Sequence, residues 1–349
     1  MGATLQSEKQ DSTFSIRGIR SFLLIGILGI SLTSCGALKK PGSGNSDEGQ
    51  MVTGGTALDG PLVFSDSIQL GITMNILASD ELKGRDTGSE GIEKAAVFLE
   101  ERLKAYGVSP YFESYRDTLV NSKEIAYNIV GMLEGSDPRL KNEFIVIGAH
   151  YDHIGVMPGK NGDGIANGAN DNASGTSTVL ELARYFGGRT PPKRSLIFAF
   201  FSAEERGLLG SRHLARVLKE RGIDLYTMLN FEMTGVPMEK SYLMYLTGYE
   251  KSNLADLCNQ YGGADLVGFL PTASEYNLFL RSDNYPFYEE FKVPSHTFSS
   301  FDFENYAYYH QPGDEPSRMD FSHMANLVNR VIPAISGIAN ADRREITLK

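Results

Sequence analysis

The chain has 349 residues, 41% of them hydrophobic and 22% charged, with a formal net charge of -10. That is ordinary globular composition, with enough chain for one large α/β domain around a substantial core. The acidic balance and the lack of Lys or Arg runs exclude nucleic acid as the expected partner, because phosphate binding needs clustered cations.

In chain order, Arg17 and Arg20 precede an apolar run from Phe22 to Leu32. This run is too short to cross a bilayer and has the form of a signal-peptide core. It ends in Leu32-Thr33-Ser34-Cys35, which resembles the bacterial lipoprotein box, where cleavage leaves the cysteine as a new N-terminus for acylation. The expectation is a lipoprotein signal peptide over 1–34 with lipid on Cys35. The protein is then held at the membrane of a bacterial cell envelope, facing outside the cytoplasm. Cys258 is the only other cysteine, so a lipidated Cys35 leaves no intramolecular disulfide, and Cys258 is expected to be a small buried hydrophobe. Residues 35–60 are rich in Gly, Ser, Lys and acidic residues without apolar periodicity, which suits a flexible tether. A single domain is expected over 61–349.

Within that domain, Ile68 to Leu77 and Gly91 to Tyr106 have helical spacing, with Gly84-Arg85-Asp86-Thr87-Gly88 as the loop between them. Ala126 to Met132, Phe144 to Ala149, Leu196 to Phe201 and Met228 to Phe231 are short apolar runs that read as buried strands. Helices fall between them near Ser174 to Phe186 and Gly207 to Lys219. Alternation of this kind predicts an α/β fold with a mixed, mainly parallel central sheet and helices on both faces. Ligands are then expected beyond the carboxyl ends of the strands.

Three of those strand ends deliver residues able to hold metal: His150 with Asp152, the pair Glu204 and Glu205, and Glu232. Asp171 precedes a predicted helix, and His310 lies on a later loop. Two imidazoles and three carboxylates form a nitrogen and oxygen donor set suited to zinc, cobalt or manganese. Hydrolysis of an amide at neutral pH needs a Lewis acid on the carbonyl and an acidified water, and two metals together supply both. A carboxylate bridges two metals through its two oxygens, whereas an imidazole lone pair binds one. Asp171 is therefore the expected bridge, with His150 and Glu232 completing one shell and Glu205 and His310 the other. Glu204 is left to act as general base. Asp152 is expected to accept the second ring N–H of His150. Of the aromatic cluster before His310, one or two of Tyr306, Tyr308 and Tyr309 are expected to face the cleft and donate to an oxyanion. His153, His213, His296 and His323 are read as structural or surface residues, His153 being the one close enough to touch substrate.

The segments GAHYDHIG (Gly148 to Gly155), GANDNASG (Gly168 to Gly175), SAEERGLLGS (Ser202 to Ser211), NFEMTG (Asn230 to Gly235) and YHQPGDE (Tyr309 to Glu315) carry a family resemblance. So does LASDELKGRDTGSEG (Leu77 to Gly91). Together they resemble the co-catalytic di-zinc peptidase family that contains bacterial secreted aminopeptidases, glutamate carboxypeptidase and glutaminyl cyclases. The resemblance implies the same five zinc ligands, two zinc ions, Glu204 as base, and a cis bond between Asp171 and Asn172. Ser282-Asp283-Asn284 departs from the family's Ser-Asp-His, so altered local hydrogen bonding around an intact site is expected.

The leading expectation is an aminopeptidase acting on peptide substrates. A carboxypeptidase would need an Arg cluster to hold a carboxylate, and Arg281 and Arg212 are the only obvious candidates. A glutaminyl cyclase would dispense with the second metal. A receptor-like binding protein that kept the fold and lost catalysis would lack ligands or the base, and all six positions are present. Oligomeric state is not legible.

Overall fold

A computed structural model describes residues 63–157, 162 and 164–349; Cys35, the expected signal peptide and the expected tether lie outside them. The order of strands is β1 (Ser109–Pro110), β2 (Arg116–Thr118), β3 (Tyr127–Leu133), β4 (Glu143–His150), β5 (Ser195–Phe201), β6 (Asp224–Phe231), β7 (Met244–Leu246), β8 (Val267–Gly268) and β9 (Ser295–Ser299). The helices are α1 (Ser67–Leu77), α2 (Glu90–Ala105), α3 (Gly175–Gly187), α4 (Leu209–Glu220), α5 (Leu254–Gly262), α6 (Pro271–Glu275), α7 (Asn284–Phe291) and α8 (Phe321–Asn340).

The strands form one sheet in the order β1-β3-β5-β4-β6-β9-β7-β8, with β2 also on β3. Its centre is parallel, since β4 pairs in parallel with both β5 and β6, and β6 with β9. Antiparallel pairing flanks this centre at β3–β5 and at β7–β9. The sheet is mixed, as expected from the sequence, and it is parallel at its centre, with four parallel and four antiparallel strand pairs in all.

Period-two alternation sends successive side chains to two cores. Ile145, Ile147 and Ala149 of β4 and Leu196, Phe198 and Phe200 of β5 face one core, packed with Leu70 of α1, Leu99 of α2, Leu182 of α3 and Val331 of α8. Val146, Ile197, Ala199 and Phe201 face the other, against Leu214 and Leu218 of α4 and Phe287 of α7. Both faces are covered, so every residue of β5 is buried, which is why the strand reads as an unbroken apolar run.

The helix starts follow their local chemistry. Asp66 accepts the amides of Ile68 and Gln69 at 2.9 Å to cap α1. Ser89 caps α2, whose first turn is acidic and last turn basic, the favourable sense for the helix dipole. Gly175 opens α3 where a Cβ would sit 2.2 Å from the carbonyl oxygen of Phe231. Its bare Cα lets the turn carrying Asp171 close onto the end of β6.

Arg85 holds these loops together. It is 1% exposed, and its guanidinium donates to four backbone carbonyls: Tyr151 at 2.8 Å, Asn167 at 2.7 Å, Gly168 at 2.9 Å and, very closely, Leu77. Burial pushes it down to about 10, with Asp314 and Asp152 acting in the opposite sense, so it stays charged at neutral pH. One side chain thus ties the end of α1, the segment after β4 and the approach to Asp171. A lysine cannot reproduce that fork and would leave buried carbonyls unpaired, at about 1–3 kcal/mol each. Arg85→Lys is expected to lower unfolding free energy by roughly 3 kcal/mol or more, read from urea denaturation at one temperature. A change below about 0.5 kcal/mol would show that the clamp contributes nothing.

Candidate active site

Parallel strands β4, β5 and β6 end on the same edge of the sheet, and the expected residues emerge there. His150 is the last residue of β4, Glu232 follows β6 directly, and Glu204 and Glu205 lie in the turn after β5. Non-glycine residues in left-handed conformation flank them: Ala203 (φ 57°) before Glu204, Met233 (φ 52°) after Glu232, and His310 itself (φ 54°). Each such residue costs on the order of 1–2 kcal/mol, and this strain is concentrated where side chains must be aimed.

Asp171 sits at the centre. Its Oδ1 lies 3.4 Å from Nε2 of His150, and its Oδ2 lies 3.1 Å from Nε2 of His310. The same His310 nitrogen is 3.2 Å from Oε2 of Glu205. Two imidazoles on the two oxygens of one carboxylate is the arrangement a bridging ligand requires. The peptide bond between Asp171 and Asn172 is cis. Asp314 fixes the turn from behind: its oxygens accept the amides of Asn170 at 2.7 Å and Asp171 at 3.0 Å, and the Tyr306 hydroxyl at 2.7 Å.

Glu232 shares a cavity with Asp171, Glu204 and Glu205, and Ser282 donates a close hydrogen bond to its Oε2. Asn284, in the place of the family's histidine, is buried and is linked to Glu232 through the hydroxyls of Thr297 and Ser282. It accepts from Thr297 at 2.8 Å and donates to the carbonyls of Phe279 and Ser295 at 3.2 Å, so the departure is absorbed by local hydrogen bonds.

The electrostatics divide the carboxylates into two groups. Burial raises Glu204 well above the usual carboxylate range, reinforced by Glu232, Asp283 and Glu205 and opposed by His150. Glu232 is raised by burial and by Asp171. Asp283, fully buried near them, is pushed up to about 7, chiefly by burial. Asp171 and Glu205 are also penalised by burial, yet both end below their ordinary values because histidines hydrogen-bond them. His310 is pushed up to about 10, burial being outweighed by Asp171 and Glu205. These carboxylates favour cations among them. His150 has the form of a ligand: its Nδ1 is 3.2 Å from the Asp152 carbonyl oxygen, while its buried Nε2 faces Asp171 at 3.4 Å and, among the described residues, makes no hydrogen bond. The donor set therefore fits a pair of divalent ions.

One expectation needs correction. The Asp152 carboxylate is 3.7 Å from the His150 ring, and the residue's backbone carbonyl is the nearer partner. The carboxylate turns instead to the amides of Glu204 at 3.2 Å and Glu205 at 3.4 Å, because two successive N–H groups of that turn converge on it. It positions the turn that carries them. Of the three tyrosines, Tyr306 is taken by Asp314, and Tyr308 packs under Arg318 at 3.8 Å. Tyr309 is the one of the three that lines the cavity, stacked on His310 at 4.0 Å.

The sequence reading missed Arg85, Asp314, Ser282 and His153. Asp314 and Ser282 lay within segments already singled out, but nothing in their residue type announces a supporting role. His153 had a signal, its place three residues after a ligand. It is 1% exposed and belongs with Asp171, Glu205 and His310 to a cluster whose ligand atoms all lie within 4.8 Å of one another. His213, His296 and His323 lie elsewhere, paired with Asp117, Ser252 and Ser300 respectively.

Comparison with known proteins places this site in a lineage. A family model described as Peptidase family M28 matches residues 128–335, a stretch that runs from β3 into α8. Aminopeptidase YwaD of Bacillus subtilis is 26% identical over 232 residues, covering 65% of this chain and 48% of the relative. A probable zinc metalloprotease of Pyrenophora tritici-repentis is 41% identical over 108 residues, covering 31% of this chain and 24% of the relative. This chain thus spans about a quarter to a half of the length of these curated relatives. Among solved structures, the LapA aminopeptidase of Legionella pneumophila superposes with a TM-score of 0.61 at 22% identity, covering 79% of this chain and 72% of the other. A likeness at that identity speaks for the fold. The family match covers more than half of the chain, including His150, Asp171, Glu204, Glu205, Glu232 and His310, and the chain belongs to Peptidase family M28.

Proposed function

We propose that this protein is a two-zinc aminopeptidase that removes N-terminal residues from peptides. The observation that carries the reading is the shared carboxylate of Asp171 between His150 and His310, with Glu204 in the same cavity and outside both donor sets. His150, Asp171 and Glu232 would hold one ion, and Asp171, Glu205 and His310 the other. Zinc there supplies a Lewis acid and lowers the pKa of water; cobalt or manganese suits the same donors.

The chain's own residues do the rest. The Glu204 carboxylate takes the proton of the attacking water and returns it to the leaving amine. Asp152 holds that turn in place through the amides of Glu204 and Glu205. Tyr309 offers a phenolic hydroxyl at the cavity wall, suited to a developing oxyanion. Among the described residues lining the cavity Arg281 is the one lysine or arginine, so the wall offers no arginine cluster to clamp a C-terminal carboxylate. Arg212, the other candidate for a carboxylate clamp, is paired with Glu289 at 3.1 Å. That arrangement speaks against a carboxypeptidase, and a complete second donor set speaks against both a single-metal cyclase and a binding protein that has lost catalysis.

At the other end of the chain, the box ending at Cys35 supports lipidation and a place in the bacterial envelope outside the cytoplasm. Several acyl chains on one cysteine would hold the domain at a membrane stably, where a single chain binds marginally.

Three outcomes are expected. Glu204→Gln should lose at least about 10²- to 10⁴-fold in kcat while metal analysis still finds two ions; Glu205→Gln should weaken one ion's binding. An active Glu204→Gln enzyme would show that the proton goes elsewhere. A free aminoacyl nitroanilide should be cleaved and its N-acetylated form refused. Preference for the acetylated compound, or an absolute need for a free C-terminal carboxylate, would overturn the aminopeptidase reading. Labelled fatty acid should enter the wild-type chain and not Cys35→Ser; no label in the wild type would sink the lipoprotein reading.

A further inference from the structure

His153 is a third histidine at the site, outside the five-ligand set. It leaves the loop after β4 three residues beyond His150, and its Nδ1 lies 2.9 Å from Oε1 of Glu205 and 3.8 Å from Oδ2 of Asp171. The two oxygens of Glu205 are therefore divided: Oε2 faces His310 at 3.2 Å, and Oε1 faces His153. The rings of His153 and His310 meet edge-on with centroids 5.5 Å apart.

Two roles fit those distances. Nδ1 would either bind the second ion directly, as a fourth protein donor, or donate its hydrogen to Glu205. The other end of the ring decides between them. Nε2 of His153 is buried and, among the described residues, has no hydrogen-bond partner. If Nδ1 bound metal, the ring proton would sit on Nε2, leaving a buried N–H without an acceptor. That arrangement is rare and costs about 1–3 kcal/mol. With the proton on Nδ1, the hydrogen bond to Glu205 is made and Nε2 carries only a lone pair. His150 shows the opposite pattern, its Nδ1 beside a carbonyl and its Nε2 turned to Asp171, which is how a ligand imidazole is supported.

We propose that His153 is a positioning residue for the second metal. It donates Nδ1–H to Oε1 of Glu205, holding the carboxylate so that Oε2 points to the ion shared with Asp171 and His310. The second site's affinity then depends on a hydrogen-bond donor at position 153 and not on an imidazole. This rests on the two-metal reading above.

The test compares wild type, His153→Asn and His153→Leu, each purified with zinc and dialysed against graded zinc buffers. Bound metal is measured per chain, and thermal unfolding is followed alongside. The Asn amide nitrogen takes the place of Nδ1 as a donor but is a poor zinc ligand. The wild type should hold two ions. His153→Asn should hold two with second-site affinity within about threefold of wild type. His153→Leu should lose about 10- to 100-fold in affinity for one ion only, the usual effect of removing a ligand's supporting partner. Loss of the second ion from His153→Asn as well, together with a changed visible spectrum of its cobalt form, would make His153 a ligand and overturn the proposal. So would wild-type affinity in His153→Leu. Because Asn alone can refute the idea, a Leu variant that fails to fold leaves the test intact. A wild-type chain holding fewer than two ions overturns both readings, whereas two ions without cleavage of any peptide substrate overturns the aminopeptidase reading alone.

Discussion

Carboxylates crowd one edge of this sheet. Asp171, Glu204, Glu205 and Glu232 share a cavity, with the fully buried Asp152 and Asp283 close behind them. Burial chiefly, and the like charges beside them in addition, push Glu204, Glu232 and Asp283 upward. Among the described residues no lysine lines the cavity, and the one arginine, Arg281, is exposed. A cluster of this kind is stable when cations enter it, and the protein's architecture is arranged to keep the acids in place until they do.

Rigid attachment does that work. Parallel pairing brings the ends of β4, β5 and β6 side by side, so that His150, the Glu204–Glu205 turn and Glu232 start from one edge. Two further groups lock the loops that cross it. Arg85 gathers carbonyls from three separate segments, and Asp314 gathers two amides beside Asp171. One is a buried cation held by backbone oxygens, the other a buried anion held by backbone nitrogens. Asp314 itself is raised by burial and by Asp171, and of the carboxylates around Arg85 it acts most strongly to keep that guanidinium charged.

The parts read correctly from sequence are those in which one residue type suffices. Strands β3 to β6 are near-continuous apolar runs because both faces of the sheet are covered, and the strand-end acids and histidines stand out after them. Strand β9 was invisible for the converse reason. Ser295, His296, Thr297 and Ser299 are polar and yet fully buried, satisfied by partners such as Thr247, Asn284 and Asn230 that come from elsewhere in the chain. Strands β1, β2, β7 and β8 have only two or three residues each, too few for any periodicity. Arg85 was placed in a loop, and no local pattern distinguishes a buried arginine that binds carbonyls from a solvated one. Asp152 was credited with the histidine bond because proximity in sequence suggested it, whereas turn geometry aims its carboxylate at two amides.

The same distinction separates the chemistry of the site from its selectivity. Metal ligation and proton transfer need particular side chains, so their residues are recognisable before the fold is known. Substrate selection needs a surface, and this one is assembled from distant segments: Met233 after β6, Tyr245 and Thr247 at β7, Leu278 and Arg281 before α7, and Phe301, Phe303 and Tyr309 beyond β9. Most of these are ordinary core-forming residue types, and only the arrival of β7 and β9 beside β6 makes them walls of one cavity. Tyr309 joins the two halves, since its ring stacks on both His310 and Phe301. The orientation of a metal-facing imidazole is thereby tied to the aromatic wall that a substrate side chain would meet, so changes in that wall reach the second donor set through packing as well as through contact.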